Sequence, residues 1–157
     1  MTIKHCIITG GSSGIGLAVA KKLVEEGFNV TIIARREAQL ATAKNLLTES
    51  VITDEQRVIT FKADVSDRNE ITDAIVNAIE ILGPPDILIT SADMAHPGYF
   101  REIDIDTYEQ SMAVNYMGTV YAVKVTLPYW FLLPPLRVGK RMLLNQTSTG
   151  VAYLSDC

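Results

Sequence analysis

The stretch ITGGSSGIG, residues 8–16, lies between an apolar run, HCIIT (5–9), and a segment with helical apolar spacing, IGLAVAKKLVEEG (15–27). Ordering glycine costs more chain entropy than ordering any other residue, so a run this rich in it implies a need for bare backbone. Strand, glycine loop and helix in that order form the context of a dinucleotide fingerprint. On this reading Gly10 allows the tight turn, Gly14 lets backbone approach a pyrophosphate, and Gly16 lets the helix pack close to the sheet. Ser12 and Ser13 offer hydroxyls. From Ile15 onward the helix N-terminus presents free N–H groups and a positive dipole end to phosphate.

Outward from the loop, short β-rich apolar runs alternate with longer helical ones. NVTIIA (29–34), RVITFKAD (57–64), DILIT (86–90) and RMLLNQ (141–146) read as further strands. Helices are expected over 36–49, from DRNE (67–70, a capping-box pattern) to about Leu82, and from about Asp106 to Leu127. Gly83-Pro84-Pro85 closes the helix before the fourth strand. Each parallel return needs a crossover helix, and near-continuous apolar strands suit a sheet covered on both faces. The expected fold is therefore α/β: a Rossmann-type, doubly wound parallel sheet of about five strands in the order 3-2-1-4-5.

Composition narrows the function. The 157 residues suffice for one domain, 1–157, with a divergent tail over 131–157. A hydrophobic fraction of 48% against 20% charged residues suits a globular chain, and a net charge of −4 argues against nucleic acid as a partner. Cys6 falls in an apolar run and reads as a core residue, and neither cysteine nor histidine has metal-ligand spacing. The longest apolar run, LPYWFLLPPL (127–136), is interrupted by prolines and shorter than the ~20 residues of a membrane helix. No secretory signal is present, so a cytoplasmic location is expected.

The second strand ends in ARR (34–36), where dinucleotide folds usually carry an acidic residue for the adenosine ribose. Arg35 and Arg36 suit the 2′-phosphate of NADP(H), which arginine can grip bidentately and a carboxylate would repel. A solvated basic pair starting a helix is the plainer alternative, although cations are disfavoured at a helix N-terminus.

The spacing T-G-x-x-x-G-I-G over 9–16 resembles the short-chain dehydrogenase/reductase family. So do DVS (64–66), SADMA (91–95) and MAVNYMGTVYA (112–122). The resemblance implies an adenine-contacting pair at Asp64 and Val65, cofactor contacts at Ser91 and Ala92, and a catalytic asparagine at Asn115. SADMAHPGYF (91–100) with YEQSMAVNYMGTVYAV (108–123) is most similar to the 3-ketosphinganine (3-dehydrosphinganine) reductases, which implies NADPH and a long-chain keto substrate. Asp93 departs from this pattern, because the family has glycine there.

Members of the family reduce carbonyls with a Tyr-x-x-x-Lys pair whose spacing puts both side chains on one helix face. Four residues beyond Tyr99, Tyr108, Tyr116, Tyr121, Tyr129 and Tyr153 stand Ile103, Met112, Val120, Val125, Leu133 and Cys157. None is lysine. QTSTG (146–150) puts Ser148 near the expected catalytic serine, although a polar turn residue is the plainer reading. The expectation is a cofactor half, truncated before the catalytic pair, that binds NADP(H) and is catalytically impaired. An active ketone reductase and a remnant binding no cofactor are the alternatives. Apolar residues around the long helix, among them Met112, Tyr116, Val120 and Val123, lead to an expected homodimer or larger assembly.

Overall fold

A computed structural model describes residues 3–131 and, as backbone, 142–145. Ser148 and most of the 131–157 tail lie outside the described residues. The strands are β1 (His5–Thr9), β2 (Asn29–Ala34), β3 (Val58–Lys62), β4 (Ile87–Thr90) and β5 (Met142–Asn145). All neighbours pair in parallel in the order β3-β2-β1-β4-β5, as expected. The helices are α1 (Gly14–Glu25), α2 (Glu37–Thr48), α3 (Arg68–Leu82), α4 (Ile105–Met112) and α5 (Gly118–Phe131).

Period-2 alternation divides β1, β2, β3 and β4 between two cores. Cys6, Ile8, Val30, Ile32 and Ile89 pack with Ala20, Val24, Leu40, Ala43 and Leu47 of α1 and α2. Ile7, Ile33 and Leu88 pack with Ile71, Ile75 and Ile79 of α3 and with Ala122 and Trp130 of α5. Both faces are therefore covered, which accounts for the unbroken apolar strands. Cys6 is fully buried, and burial pushes its thiol pKa far up.

Several boundaries differ from the sequence reading. Helix α1 begins at Gly14, one residue early, and ends at Glu25, with Gly27 in the left-handed region at φ +88°. At α3, Asp67 accepts from the N–H groups of Asn69 and Glu70, but Glu70 does not complete the box. Its carboxylate instead accepts from Asp64 N–H at 2.8 Å and so ties down the β3–α3 turn.

The expected long helix is two helices joined by a π-helical turn, Ala113–Met117. It also runs past Leu127, through Pro128, to Phe131. A proline inside a helix costs about 3 kcal/mol or more. The compensation is tertiary: Trp130 is buried, and its indole N–H donates to Pro85 O at 2.6 Å.

At the N-terminal edge of the sheet His5 is 1% exposed. Its Nδ1 lies 2.8 Å from Gly83 O and its Nε2 2.8 Å from Thr31 Oγ1. A neutral ring serves both, with Nδ1–H donating to the carbonyl and Nε2 accepting from the hydroxyl. Burial lowers the His5 pKa from 6.5, against the opposing pull of the Gly83 hydrogen bond and the Asp86 charge. The unfolded chain therefore binds a proton that the native state refuses. Stability is complete above the unfolded pKa and declines as pH falls below 6.5. Urea unfolding between pH 7.5 and 5 should show this loss, at a limiting slope of about 1.4 kcal/mol per pH unit for one proton. His5→Gln should flatten it.

Candidate functional site

Strand order reverses between β1 and β4, because the chain leaves β1 towards β2 and later returns to the other side through α3. Such a switch point opens a crevice at the C-terminal ends of the strands. A cleft of about 250 Å³ lies there, bounded by the glycine loop, the β2 end (Ala34, Arg35, Arg36, Gln39), Val65, the segment Ser91 to Asp93, and Val114.

Gly10, Gly14 and Gly16 are glycine for different reasons. Gly10 sits at φ +71°, and a Cβ on it would come within 2.5 Å of Ala92 N and 2.6 Å of the Ser91 carbonyl carbon. Gly16 faces the same crossing from α1, where a Cβ would overlap Gly10 O. Gly14 differs: at φ +55° it faces open space, with nothing within 4 Å of a Cβ. Gly10 and Gly16 thus close the crossing while Gly14 leaves backbone bare at the helix entrance. There Ser13 makes no side-chain capping hydrogen bond, no acidic residue occupies the first turn, and Ile15 is exposed. Ser12 and Ser13 both line the cleft.

At the β2 end Arg35 Nη1 stands 3.7 Å from Asp64 Oδ2. Burial alone would raise the Asp64 pKa. Hydrogen bonds from Ser66 Oγ (2.7 Å) and N–H (2.9 Å), together with Arg35, outweigh burial and hold the carboxyl below its usual value. Arg36 is the N-cap residue of α2, exposed and lining the cleft. Val65 is buried against Gly118, where a Cβ would lie 2.9 Å from Val65 Cγ2.

Asn115 lies in the π-helical turn, and both ends of its amide are used. Its Oδ1 accepts from Met94 N–H at 2.8 Å and its Nδ2 donates to Met94 O at 2.9 Å. It therefore fixes the loop after β4, immediately beside Asp93.

Sequence reasoning missed three cleft residues, Ala34, Gln39 and Val114. Gln39 has a buried Oε1 without a hydrogen-bond partner. Its signal was its place one turn into the helix that begins at the Arg35-Arg36 end. Among the described residues no cluster of three or more His, Cys, Asp or Glu could hold a metal, and no helix is long and apolar enough to cross a membrane.

The model for short chain dehydrogenases matches residues 4–136. The chain belongs to the short-chain dehydrogenase family. It is 37% identical over 142 residues to 3-ketodihydrosphingosine reductase of Mus musculus, covering 90% of this chain and 42% of that protein. Among solved structures it resembles an actinorhodin polyketide ketoreductase with NADPH: TM-score 0.75, 28% identity, 81% of this chain and 47% of that one. L-sorbose reductase from Gluconobacter frateurii, complexed with NADPH and L-sorbose, gives TM-score 0.75 and 26% identity, covering 82% of this chain and 48% of that one. The chain thus spans less than half the length of these relatives.

The cleft fits a nicotinamide dinucleotide. The helix entrance is bare and uncapped at Gly14, guanidinium groups stand at the β2 end, and a buried polar atom is left unpartnered on the wall. Such features await an anionic, hydrogen-bonding ligand.

The Asn115 clamp has a measurable consequence. Asn115→Ala strands the N–H and C=O of Met94, and should lower unfolding free energy by about 1–2 kcal/mol. It should also speed amide exchange at Met94 while leaving His5 protected.

Proposed function

We propose that this chain is the NADP(H)-binding part of a short-chain reductase of the 3-ketodihydrosphingosine type. The carrying observation is the combination of a bare, uncapped helix entrance at Gly14 with Arg35 and Arg36 along the same cleft. N–H groups at Gly14 and Ile15, with the Ser12 and Ser13 hydroxyls, serve the pyrophosphate. Arg35, steadied by Asp64, and Arg36 serve the 2′-phosphate as charge-assisted donors. Asp64 and Val65 border the adenine, Ser91 and Ala92 the nicotinamide side. When bound, the cofactor supplies the hydride.

Reduction of a carbonyl also needs a proton donor, and general acid catalysis contributes typically 10²–10⁴-fold, so about that much should be missing here. None of the tyrosines has lysine four residues on, and Asn115 has both amide ends engaged at Met94. Residues 1–157 by themselves therefore bind the cofactor and turn over keto substrate poorly. The likeness to the mouse 3-ketodihydrosphingosine reductase supports a long-chain keto compound as the substrate class of the whole protein and keeps an active reductase as the second reading.

Self-association belongs to the same proposal. Ile105, Met112 and Tyr116 recur at helical spacing and are exposed, with Phe100 beside them against Tyr108. Light scattering at micromolar concentration should give a mass above that of one chain.

NADPH titration decides the cofactor assignment. Wild type should bind NADPH more tightly than NADH, and Arg35→Ala should weaken NADPH by about tenfold or more while sparing NADH. NADPH oxidation with 3-ketodihydrosphingosine should stay near background, and brisk turnover would favour the second reading.

A further inference from the structure

Charge is unevenly distributed along the cleft. Arg35 and Arg36 stand at its β2 end and Asp93 at its β4 end, with the glycine loop between. Arg35 is paired with Asp64. Among the described residues Arg36 has no ion-pair partner, and Asp93 has neither an ion-pair nor a hydrogen-bond partner. One unopposed positive group and one unopposed negative group therefore face the same space from opposite ends.

The carboxylate is attached to a held backbone rather than a loose loop. On one side Ala92 is wedged against Gly10, where no Cβ fits. On the other, Met94 is clamped through both its N–H and its C=O by Asn115. Asp93 is exposed, so its charge carries no burial penalty and acts on whatever enters the cleft. A fixed charge that needs no reorganisation discriminates between ligands better than a mobile one.

We propose that Asp93 is a specificity residue for cofactor charge state, favouring NADP⁺, with its cationic pyridinium ring, over NADPH, whose dihydronicotinamide ring is neutral. The inference rests on the cofactor reading above. Both forms carry the same phosphates, so the glycine loop and the two arginines treat them alike. They differ by the positive charge that the nicotinamide ring loses on accepting a hydride. With the 2′-phosphate directed to the guanidinium end, the extended dinucleotide runs towards β4. There a carboxylate attracts the cationic ring and is indifferent to the neutral one.

Calorimetric titration of the 157-residue chain with NADP⁺ and with NADPH, for wild type, Asp93→Asn and Asp93→Gly, tests this. Circular dichroism confirms that both variants are folded. Each variant should shift the NADP⁺-to-NADPH affinity ratio towards NADPH by about two- to fivefold, the range of an exposed charge pair. Raising salt should shrink the wild-type preference and leave the variants unchanged. A ratio that is the same in wild type and both variants overturns the role of Asp93 while leaving cofactor binding intact. Failure of wild type to bind either form overturns the cofactor reading itself, and this inference with it.

Discussion

The contact on which the site depends is the one between Gly10 and the backbone of Ser91 and Ala92. Here the segment leaving β1 passes the segment leaving β4 with no room for a side chain. Gly10 N–H donates to Ile33 O at 2.8 Å and Ser91 N–H to Thr9 O at 3.0 Å, so the loops are extensions of the sheet's own hydrogen bonding. Gly16 closes the same point from the helix side. Moving these backbones apart by one methyl group would tilt α1 and displace the β4 loop, and with them both walls of the cleft. Rigidity here costs backbone entropy at glycine, and the burial of the two apolar layers flanking the sheet offsets it.

From that crossing the site is assembled in two independent halves. The β2 half is electrostatic: Arg35 is set by Asp64, which Ser66 holds in turn, while the Glu70 carboxylate fixes the Asp64 N–H. The β4 half is geometric: Asn115 converts a short irregular loop into a fixed one with two hydrogen bonds. A π-helical turn is the local adjustment that accompanies this clamp, and such turns recur at functional sites.

Much of this was legible from residue order because it is local. Strand alternation, glycine positions and the arginine pair are properties of short windows, and they led to the sheet order, the two-sided core and the place of the cleft. What escaped was set by side-chain reach. Glu70 completes a turn three residues upstream of its expected partner, and no spacing rule distinguishes the two. Pro128 reads as a stop because its effect is local, whereas the Trp130 anchor that overrides it depends on Pro85, 45 residues away from Trp130 in sequence. Gln39 and Val114 are ordinary helix residues until the fold turns them to the cleft. Asn115 stands out through the family resemblance, but its engagement with Met94 requires coordinates.

Trp130 is the chain's single tryptophan, and its indole is hydrogen-bonded beneath β4, at the opposite edge of the sheet from the cleft. Its emission wavelength is therefore a private reporter of whether the base of the molecule is intact. Opening that base should move the fluorescence to the red, whereas a ligand seated among the loops above would leave the colour of the light unchanged.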